Sequence, residues 1–334
     1  MKIEKTGEFA LIDRIITEIN KVKPGEWNTL ISGIGDDAAV VKSRSRYQAA
    51  TTDCLIENVH FKRRFLDWGA LGWKALAISL SDIAAMGGTP KYALVSLVLP
   101  SNTDADDVVA FYRGMLDLAE ESGTIIAGGN ISRSSEIAVH TTVVGEVPAR
   151  DKILLRSKAK KGDLIAVTGR LGAAAGGLKT LDASFHPAHN DAEALIKAFW
   201  YPQPRLEAGK ILVRCGIRCA MDISDGLVAD LGHILEMSKV GARIEAARIP
   251  VHPSLAVLGA NGLNLALSGG EDYELLFTGK KEAVERVAAE LGGSVSCPYG
   301  VTVIGEVTRR IGGIDVLDVN GNVMAIESGG WRHF

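Results

Sequence analysis

Six aspartates lie in short segments rich in small residues, spread along the whole chain. They are Asp36 and Asp37 in GIGDDAAVV, Asp53 in TTDCLIENVHF, Asp82 in ISLSDIAAMGG, and Asp222 and Asp225 in AMDISDGLVADLGHI. Flanking Gly, Ala, Ser and Thr let a backbone approach a ligand closely. Two carboxylates ~4 Å apart repel by about 1 kcal/mol even in water, so a shared site needs a cation. Oxygen ligands that retain water suit Mg²⁺, and Mg²⁺ held in this way points to phosphoryl-transfer chemistry.

Each aspartate also has an ordinary structural interpretation. An Asp beside Gly or Ser is often a turn former or a helix N-cap, and for any one of the six alone the cap is the better interpretation. Ser81-Asp82 and Ser224-Asp225 both precede apolar helical patterns, so capping is part of what we expect of them. The occurrence of all six in one chain favours a shared ligand-binding site over six independent turns.

The length, charge and cysteine content of the chain argue against several classes of protein. A length of 334 residues suggests two domains. No apolar run reaches the ~18 residues of a membrane span, and the charged amino-terminal segment does not read as a signal peptide. Four cysteines without a CxxC pair indicate a reduced, cytoplasmic protein with no zinc site. A net charge of −3 without a Lys/Arg-rich run argues against nucleic acid as the main partner, and we expect no membrane partner.

The elements that position these aspartates alternate between helix and strand. Amphipathic periodicity predicts a first helix within residues 7–22. A second predicted helix, 68–86, is interrupted near residues 79–82, where Ser and Asp replace apolar residues. Further helices are predicted at 104–122, 172–181, 206–215, 228–237 and 282–291, and strands at 38–41, 47–52, 92–99, 124–127, 137–146, 164–168, 220–224, 271–278 and 302–307.

Without long parallel βαβ regularity, this order predicts an α+β fold of two sandwich-like domains. The basic, turn-like segment RSKAKKGD places the boundary between domains of residues 1–150 and 151–334. Each domain contains an S-D pair, at Ser81 and at Ser224, so we expect both domains to supply carboxylates to one cleft between them.

Two glycine motifs resemble nucleotide-binding loops but fail on context. Gly33-Ile-Gly35-Asp-Asp-Ala38 fits GxGxxA, yet it would aim two aspartates at a pyrophosphate and is followed by a strand-like AAVV. The segment 172–180 resembles a P-loop, but Leu178 separates the glycine from the lysine. A closely packed helix rich in small residues is the better interpretation.

Nine motifs in order are similar to those of the thiamine-monophosphate kinases. They are GEFALIDRI, GIGDDAAVV, TTD-x₆-HF, SLSDIAAMGG, AGGNISRS, LRSKAKKGD, MDISDGLVADLGHI, SGGEDYELLF and GWRHF. The resemblance runs over nearly the whole chain. It implies two α/β-sandwich domains of the aminoimidazole ribonucleotide synthetase-like type, with the N-terminal sheets pairing in a homodimer. It also implies ATP as co-substrate, several Mg²⁺ ions, and thiamine monophosphate as the acceptor.

The resemblance also implies roles for individual residues. The Mg²⁺ ligands would be Asp36, Asp37, Thr51, Thr52, Asp53, Asp82, Asp222 and Asp225. The nucleotide contacts would be Gly128, Gly129, Asn130, Arg156 and Ser224, and the thiamine-phosphate contacts would be His60, Glu271 and Trp331. One position departs from the family, because its usual GGD reads GGN here. Asn130 can still offer a carbonyl oxygen, but with one negative charge fewer.

Phosphorylation of a phosphate needs positioning and charge neutralisation more than a strong base or a nucleophile, since the acceptor oxygen is already deprotonated. Accordingly, the motifs present no residue that acts as a covalent nucleophile. Two alternatives remain open at this point: an ATP-dependent ligase or cyclase of the same superfamily, and a non-catalytic binder of nucleotide or thiamine phosphate.

Overall fold

The computed structural model describes residues 30–32, 36–43, 46–258, 260–292, 297, 299–326 and 330. The predicted first helix and Trp331 lie outside the described residues. Helices and strands follow one another in both halves around two mixed six-stranded sheets, which confirms the predicted α+β class. In the described part of the chain, no helix is both long enough and apolar enough to cross a membrane.

The first sheet has the strand order β1-β2-β3-β6-β4-β5, in which only β4 and β5 run parallel to each other. Its strands are β1 (Leu30–Ser32), β2 (Ala39–Ser43), β3 (Arg46–Ile56), β4 (Thr89–Leu99), β5 (Ile125–Arg133) and β6 (Ala138–Val147). β2 follows the GIGDD motif directly, which confirms the strand expected there and argues against a dinucleotide-binding turn.

The second sheet has the order β12-β9-β11-β7-β10-β8, with β12 parallel to β9. Its strands are β7 (Leu164–Thr168), β8 (Cys219–Asp222), β9 (Gly241–Glu245), β10 (Leu275–Gly279), β11 (Val301–Thr308) and β12 (Ile314–Leu317). The strand predicted from residue 271 begins only at Leu275, because Glu271 and Tyr273 have positive φ angles of 69° and 50° that no strand accommodates.

The helices of the described residues are α1 (Trp68–Ala85), α2 (Ala105–Ser122), α3 (Ala173–Leu181), α4 (His189–Trp200), α5 (Leu206–Arg214), α6 (Leu227–Ser238), α7 (Ala260–Ser268) and α8 (Lys281–Leu291). Short 3₁₀ turns lie at Arg63–Phe65, Arg150–Lys152, Arg156–Lys158, Ala246–Arg248 and Pro253–Leu258. The helices α4 and α7 and the strands β1, β9 and β12 are not predicted from the sequence.

α1 is the central element. It packs against β3, β4 and β6 of the first sheet and against α5 and β8 of the second half, so it is buried on nearly every side. The interruption predicted near residues 79–82 is wrong. The polar side chains there form hydrogen bonds to distant residues, and this tertiary bonding outweighs their weak helix propensity.

The P-loop-like segment forms α3, whose glycines pack against α4 as predicted. A Cβ at Gly177 would lie 2.2 Å from the Leu195 carbonyl oxygen, so only glycine allows this helix contact. The α3 amino terminus is already occupied by a side chain of this chain, because Asp272 Oδ2 accepts the Gly172 N–H at 2.7 Å. This helix therefore does not serve as a phosphate loop.

Candidate active site

An acidic cluster forms where α1 crosses the first sheet. Asp53 and Thr51 point from β3 toward α1, where Thr51 donates to Asp82 Oδ2. Ser79, three residues earlier on the helix, donates to Asp53 Oδ2 at 3.0 Å and to the Thr141 carbonyl at 3.1 Å. The TTD and SLSD motifs are thus brought together by a helix laid across a strand, although 31 positions separate Thr51 from Asp82.

The second half contributes Asp222, the last residue of β8. Ser81 of α1 donates to Asp222 Oδ2 at 2.6 Å, so this bond joins the two halves at the cluster. Carboxylate oxygens of Asp37, Asp82 and Asp222 all lie within 4.8 Å of one another. Both halves therefore supply carboxylates to one cluster.

Burial and mutual repulsion act on this cluster together. Burial, followed by the charges of Asp53, Asp222 and Asp37, raises the pKa of Asp82 well above its usual value. Burial, followed by the charge of Asp37, likewise raises the pKa of Asp222 well above its usual value. Crowded carboxylates whose mutual repulsion raises their pKa values, and whose ligand atoms are all hard oxygens, fit a Mg²⁺ ion, which would relieve that repulsion.

Arg156 lies beside the cluster, in the 3₁₀ turn at the start of the second half. Its Nη2 donates to Asp37 Oδ1 at 2.7 Å and its Nε to Asp37 Oδ2 at 3.3 Å, a bidentate pair, while its backbone N–H donates to Asp36 Oδ1 at 3.0 Å. Burial, the largest single effect, would lower the pKa of Arg156, but the charge and hydrogen bonds of Asp37 together with the charges of Asp222 and Asp230 outweigh it and raise the pKa. The arginine thus fixes the GIGDD carboxylates in place.

Ser224 and Asp225 lie in the turn between β8 and α6, and a buried carboxylate shapes this turn. Asp230 Oδ2 accepts the backbone N–H groups of Ser224, Asp225 and Gly226 at 3.1, 3.1 and 3.0 Å. Asp225 forms a second acidic group with Asp230 and His233, whose ligand atoms lie within 4.8 Å of one another. The structure therefore places Asp225 in a separate group from Asp222.

The structure corrects the prediction for the AGGN segment, which is not a loop. Gly128, Gly129 and Asn130 lie inside β5, the exposed edge strand of the first sheet. Gly128 has a φ of 152°, and a Cβ at Gly129 would lie 1.8 Å from the Val95 carbonyl oxygen. Close pairing with β4 is thus a structural reason for both glycines, since other residues would clash or be strained.

The sheet register relates this segment to the acidic cluster. Asp53 pairs with Thr141, Thr141 with Val95, and Val95 with Gly129, in one row across four strands. Neighbouring strands lie about 4.8 Å apart, so Gly129 is about 14 Å from Asp53. The AGGN segment borders the same surface but is not part of the cluster.

Thr52 does not join the cluster through its side chain. Neighbouring residues of a strand point to opposite faces, and the Thr52 hydroxyl is exposed and hydrogen-bonded to Thr142 Oγ1 at 3.0 Å. Thr51 and Asp53, on the other face, remain beside Asp82.

The thiamine-phosphate contacts expected from the resemblance occupy separate elements. His60 lies in the turn after β3, where its Nδ1 accepts the Ile56 N–H at 3.1 Å. The backbone N–H of Glu271 donates to the Ser224 carbonyl at 2.8 Å, which places SGGED beside the DISDG turn. Gly330 also returns to this turn, since a Cβ there would lie 2.8 Å from the Asp225 carbonyl oxygen.

Several residues at the site are not predicted from the sequence. They are Lys74, Ser79, Ser81, Asp230, Asp272, Tyr273, Arg205 and Glu274. Lys74 could have been found, because it lies eight residues before Asp82 and therefore on the same helix face within a strongly apolar pattern. Asp230 lies within the quoted motif DGLVADLGHI, but nothing in the sequence shows that it bonds back to the turn.

Sequence profiles of the AIR synthase related proteins match both halves of the chain. The N-terminal domain profile matches residues 35–147, and the C-terminal domain profile matches residues 160–316. This match confirms the expected fold of the aminoimidazole ribonucleotide synthetase type.

Full-length relatives define the family further. The thiamine-monophosphate kinase of Bacillus subtilis is 37% identical over 309 residues, covering 90% of this chain and 93% of the relative. That of Aquifex aeolicus is 35% identical over 340 residues and covers 100% of both chains. A solved structure of AaThiL complexed with AMPPCP and TMP has a TM-score of 0.85 at 35% identity, covering 100% of this chain and 99% of that chain. The chain therefore belongs to the thiamine-monophosphate kinase family of AIR synthase related proteins.

Proposed function

We propose that the chain transfers the γ-phosphoryl group of ATP to thiamine monophosphate, giving thiamine diphosphate and ADP. The observation that carries this proposal is the convergence of Asp37, Asp82 and Asp222 from both halves of the chain in one acidic cluster. A cluster of hard oxygen ligands is what a magnesium-dependent phosphoryl transfer requires. The family membership and the ligands of the AaThiL complex, AMPPCP and TMP, support the choice of substrates.

In this proposal, the acidic side chains around the cleft hold several Mg²⁺ ions. Bound Mg²⁺ would neutralise phosphate charge and align the transferred group. The expected ligands are Asp36, Asp37, Thr51, Asp53, Asp82, Asp222 and Asp225. Gly128, Gly129, Asn130, Arg156 and Ser224 would bind the nucleotide, and His60, Glu271 and Trp331 would bind thiamine monophosphate.

The transfer is direct, without a phosphoenzyme. Burial raises the pKa of Cys219 to about 12 and that of Cys215 to about 11, so these thiols are not activated nucleophiles. An acceptor phosphate oxygen needs no general base, so the residues bind, orient and exclude water around the reacting groups.

We further infer a homodimer that pairs through the first sheet. β5 is an edge strand with an exposed surface, and Ile125 and Ile131 are 67% and 65% exposed there, beside the exposed Leu94 and Tyr92. Unpaired edges with apolar side chains favour association with a second copy. The division into domains of residues 1–150 and 151–334 and the cytoplasmic location stay predictions from the sequence.

Turnover with mass-resolved products separates the candidate functions. Thiamine diphosphate formed together with one ADP supports the kinase. ADP and phosphate released with a new amide or ring on a purine-precursor amide would indicate the ligase or cyclase. Binding of both ligands without any product would indicate the non-catalytic binder.

A further inference from the structure

Lys74 is a fully buried cation that none of the proposed roles uses. It lies on α1, and its side chain is 0% exposed. Its Nζ lies 2.9 Å from Glu271 Oε1, 3.1 Å from the Phe199 carbonyl oxygen and 3.6 Å from the centre of the Phe199 ring. A lysine is rarely buried in this way unless its charge is matched, and the matching carboxylate comes from the other half of the chain.

The partner of Lys74 faces a cavity. The Glu271 side chain is 27% exposed and lines a cavity of about 150 Å³ between its own loop and the ends of α3 and α4. Within the described part of the chain, Lys74 bonds Oε1 only, so Oε2 remains able to accept a hydrogen bond from a ligand. Glu271 therefore has one oxygen held by Lys74, while its part-exposed side chain borders a cavity.

The loop that contains Glu271 carries three carboxylates, and each is anchored by its own hydrogen bond or ion pair. Asp272 accepts the Gly172 N–H, Glu274 pairs with Arg205, and Glu271 pairs with Lys74. Glu271 has a φ of 69°, a left-handed conformation that a non-glycine residue keeps only when its surroundings fix it. Of these anchors, the Lys74 pair is the one that acts on Glu271 itself.

We propose that Lys74 is a positioning residue that holds the Glu271 carboxylate against the amino and cationic groups of thiamine monophosphate, an inference that rests on the proposed function. Without the ammonium group, the Glu271 carboxylate loses its charged partner and either takes up a proton or turns toward water. A protonated carboxyl group no longer attracts the cationic substrate, and a carboxylate that turns toward water leaves the position from which it meets the substrate. Because Lys74 also lies two turns before Asp82 on α1, it ties the substrate loop to the helix that bears the acidic cluster.

The test is steady-state kinetics of Lys74→Met, which keeps the apolar stem and removes the charge. We expect KM for thiamine monophosphate to rise about 10-fold or more, as for loss of a charge-assisted hydrogen bond. KM for ATP and the half-saturating Mg²⁺ concentration should stay within about 2-fold of the parent. The control is Lys210→Met, which removes a lysine charge paired with Glu207 on α5, away from the cavity that Glu271 lines; it should leave KM for thiamine monophosphate unchanged.

A double-mutant cycle keeps the proposal falsifiable if Lys74→Met folds poorly. Lys74→Met/Glu271→Gln leaves no unpaired buried charge, and it should have the same KM for thiamine monophosphate as Glu271→Gln alone. A further rise in the double variant, or a Lys74→Met protein with lowered Tm and parental or tighter KM, would overturn the role of Lys74. A parent protein that makes no thiamine diphosphate would instead refute the proposed function and this inference together.

Discussion

Replacing Asp82 by asparagine should stabilise the metal-free protein and remove most of its response to Mg²⁺. The Asp82 oxygens lie within 4.8 Å of those of Asp37 and Asp222. At an effective dielectric near 20, two full charges at ~4.8 Å repel by about 3.5 kcal/mol. Protonation already relieves part of this, since burial and then the neighbouring carboxylates raise the pKa of Asp82. We therefore expect Asp82→Asn to gain about 1–2 kcal/mol, or roughly 2–5 °C in Tm.

The same substitution should remove stabilisation by the metal. A cation that binds only the folded state adds about 2.7 kcal/mol at 100 times its Kd, so parental Tm should rise with added Mg²⁺. Asparagine retains an oxygen that can accept the Thr51 hydroxyl, which keeps the local packing. It removes one negative charge from the cluster, so the rise in Tm with Mg²⁺ should shrink and turnover should fall by orders of magnitude.

The assay is thermal unfolding with chelator and with increasing Mg²⁺, together with turnover. Asp163→Asn is the matched control, because Asp163 is a buried aspartate that caps the Lys160 turn at 2.9 Å and takes no part in the acidic cluster. It should keep the Mg²⁺ response. If Asp82→Asn lowered Tm in chelator and kept both the Mg²⁺ response and turnover, Asp82 would be a structural residue and the reasoning would be wrong.

Four further predictions follow from individual contacts. Asn130→Asp should lower, and Asn130→Ala should raise, the Mg²⁺ concentration for half-maximal activity, because the amide oxygen is a neutral ligand; superimposable titration curves would show that it has no such role. Asp230→Asn should raise KM for ATP about 10-fold without changing KM for thiamine monophosphate, since its carboxylate holds the Ser224 turn through three N–H groups; a change in Tm alone would contradict this. Ile131→Lys, on the exposed edge strand, should convert the dimer to a monomer in sedimentation experiments, and an unchanged mass would count against the proposed interface. Burial raises the pKa of Asp272 to about 8, so the folded state retains a proton that the unfolded state releases near pH ~4. The stability that this protonated Asp272 contributes should therefore be lost as the pH rises toward about 8. Asp272→Asn should remove this dependence, so its denaturation midpoints should change less with pH across that range than those of the parent.

Local patterns in the sequence predict much of the secondary structure. Amphipathic periodicity predicts α2 and α8 to within about two residues, because those helices are exposed on one face and carry a 3.6-residue pattern. The aspartates of the cluster are also found from sequence, since their small-residue context is unusual for six separate turns. Among them, the structure brings Asp37, Asp82 and Asp222 together from both halves of the chain.

Other features depend on contacts between residues far apart in the chain, and the sequence does not predict them. α1 continues through Ser79 and Ser81 because Asp53 and Asp222 supply partners 26 and 141 positions away. The AGGN segment is a strand because β4 pairs with it in parallel, and its local composition reads as a turn. Neither the uninterrupted α1 nor the AGGN strand can be derived from secondary-structure propensity, because propensity takes no account of tertiary contacts.

The most direct test of the central claim follows the phosphorus resonances of ATP and thiamine monophosphate in the presence of the protein, with Mg²⁺ and with chelator. The proposed function predicts that thiamine diphosphate and ADP appear in equal amounts, that chelator stops both, and that Asp222→Asn slows both by orders of magnitude. ADP formed with free phosphate and no thiamine diphosphate, or equal turnover in chelator, would contradict a kinase whose two halves meet at a magnesium-binding acidic cluster.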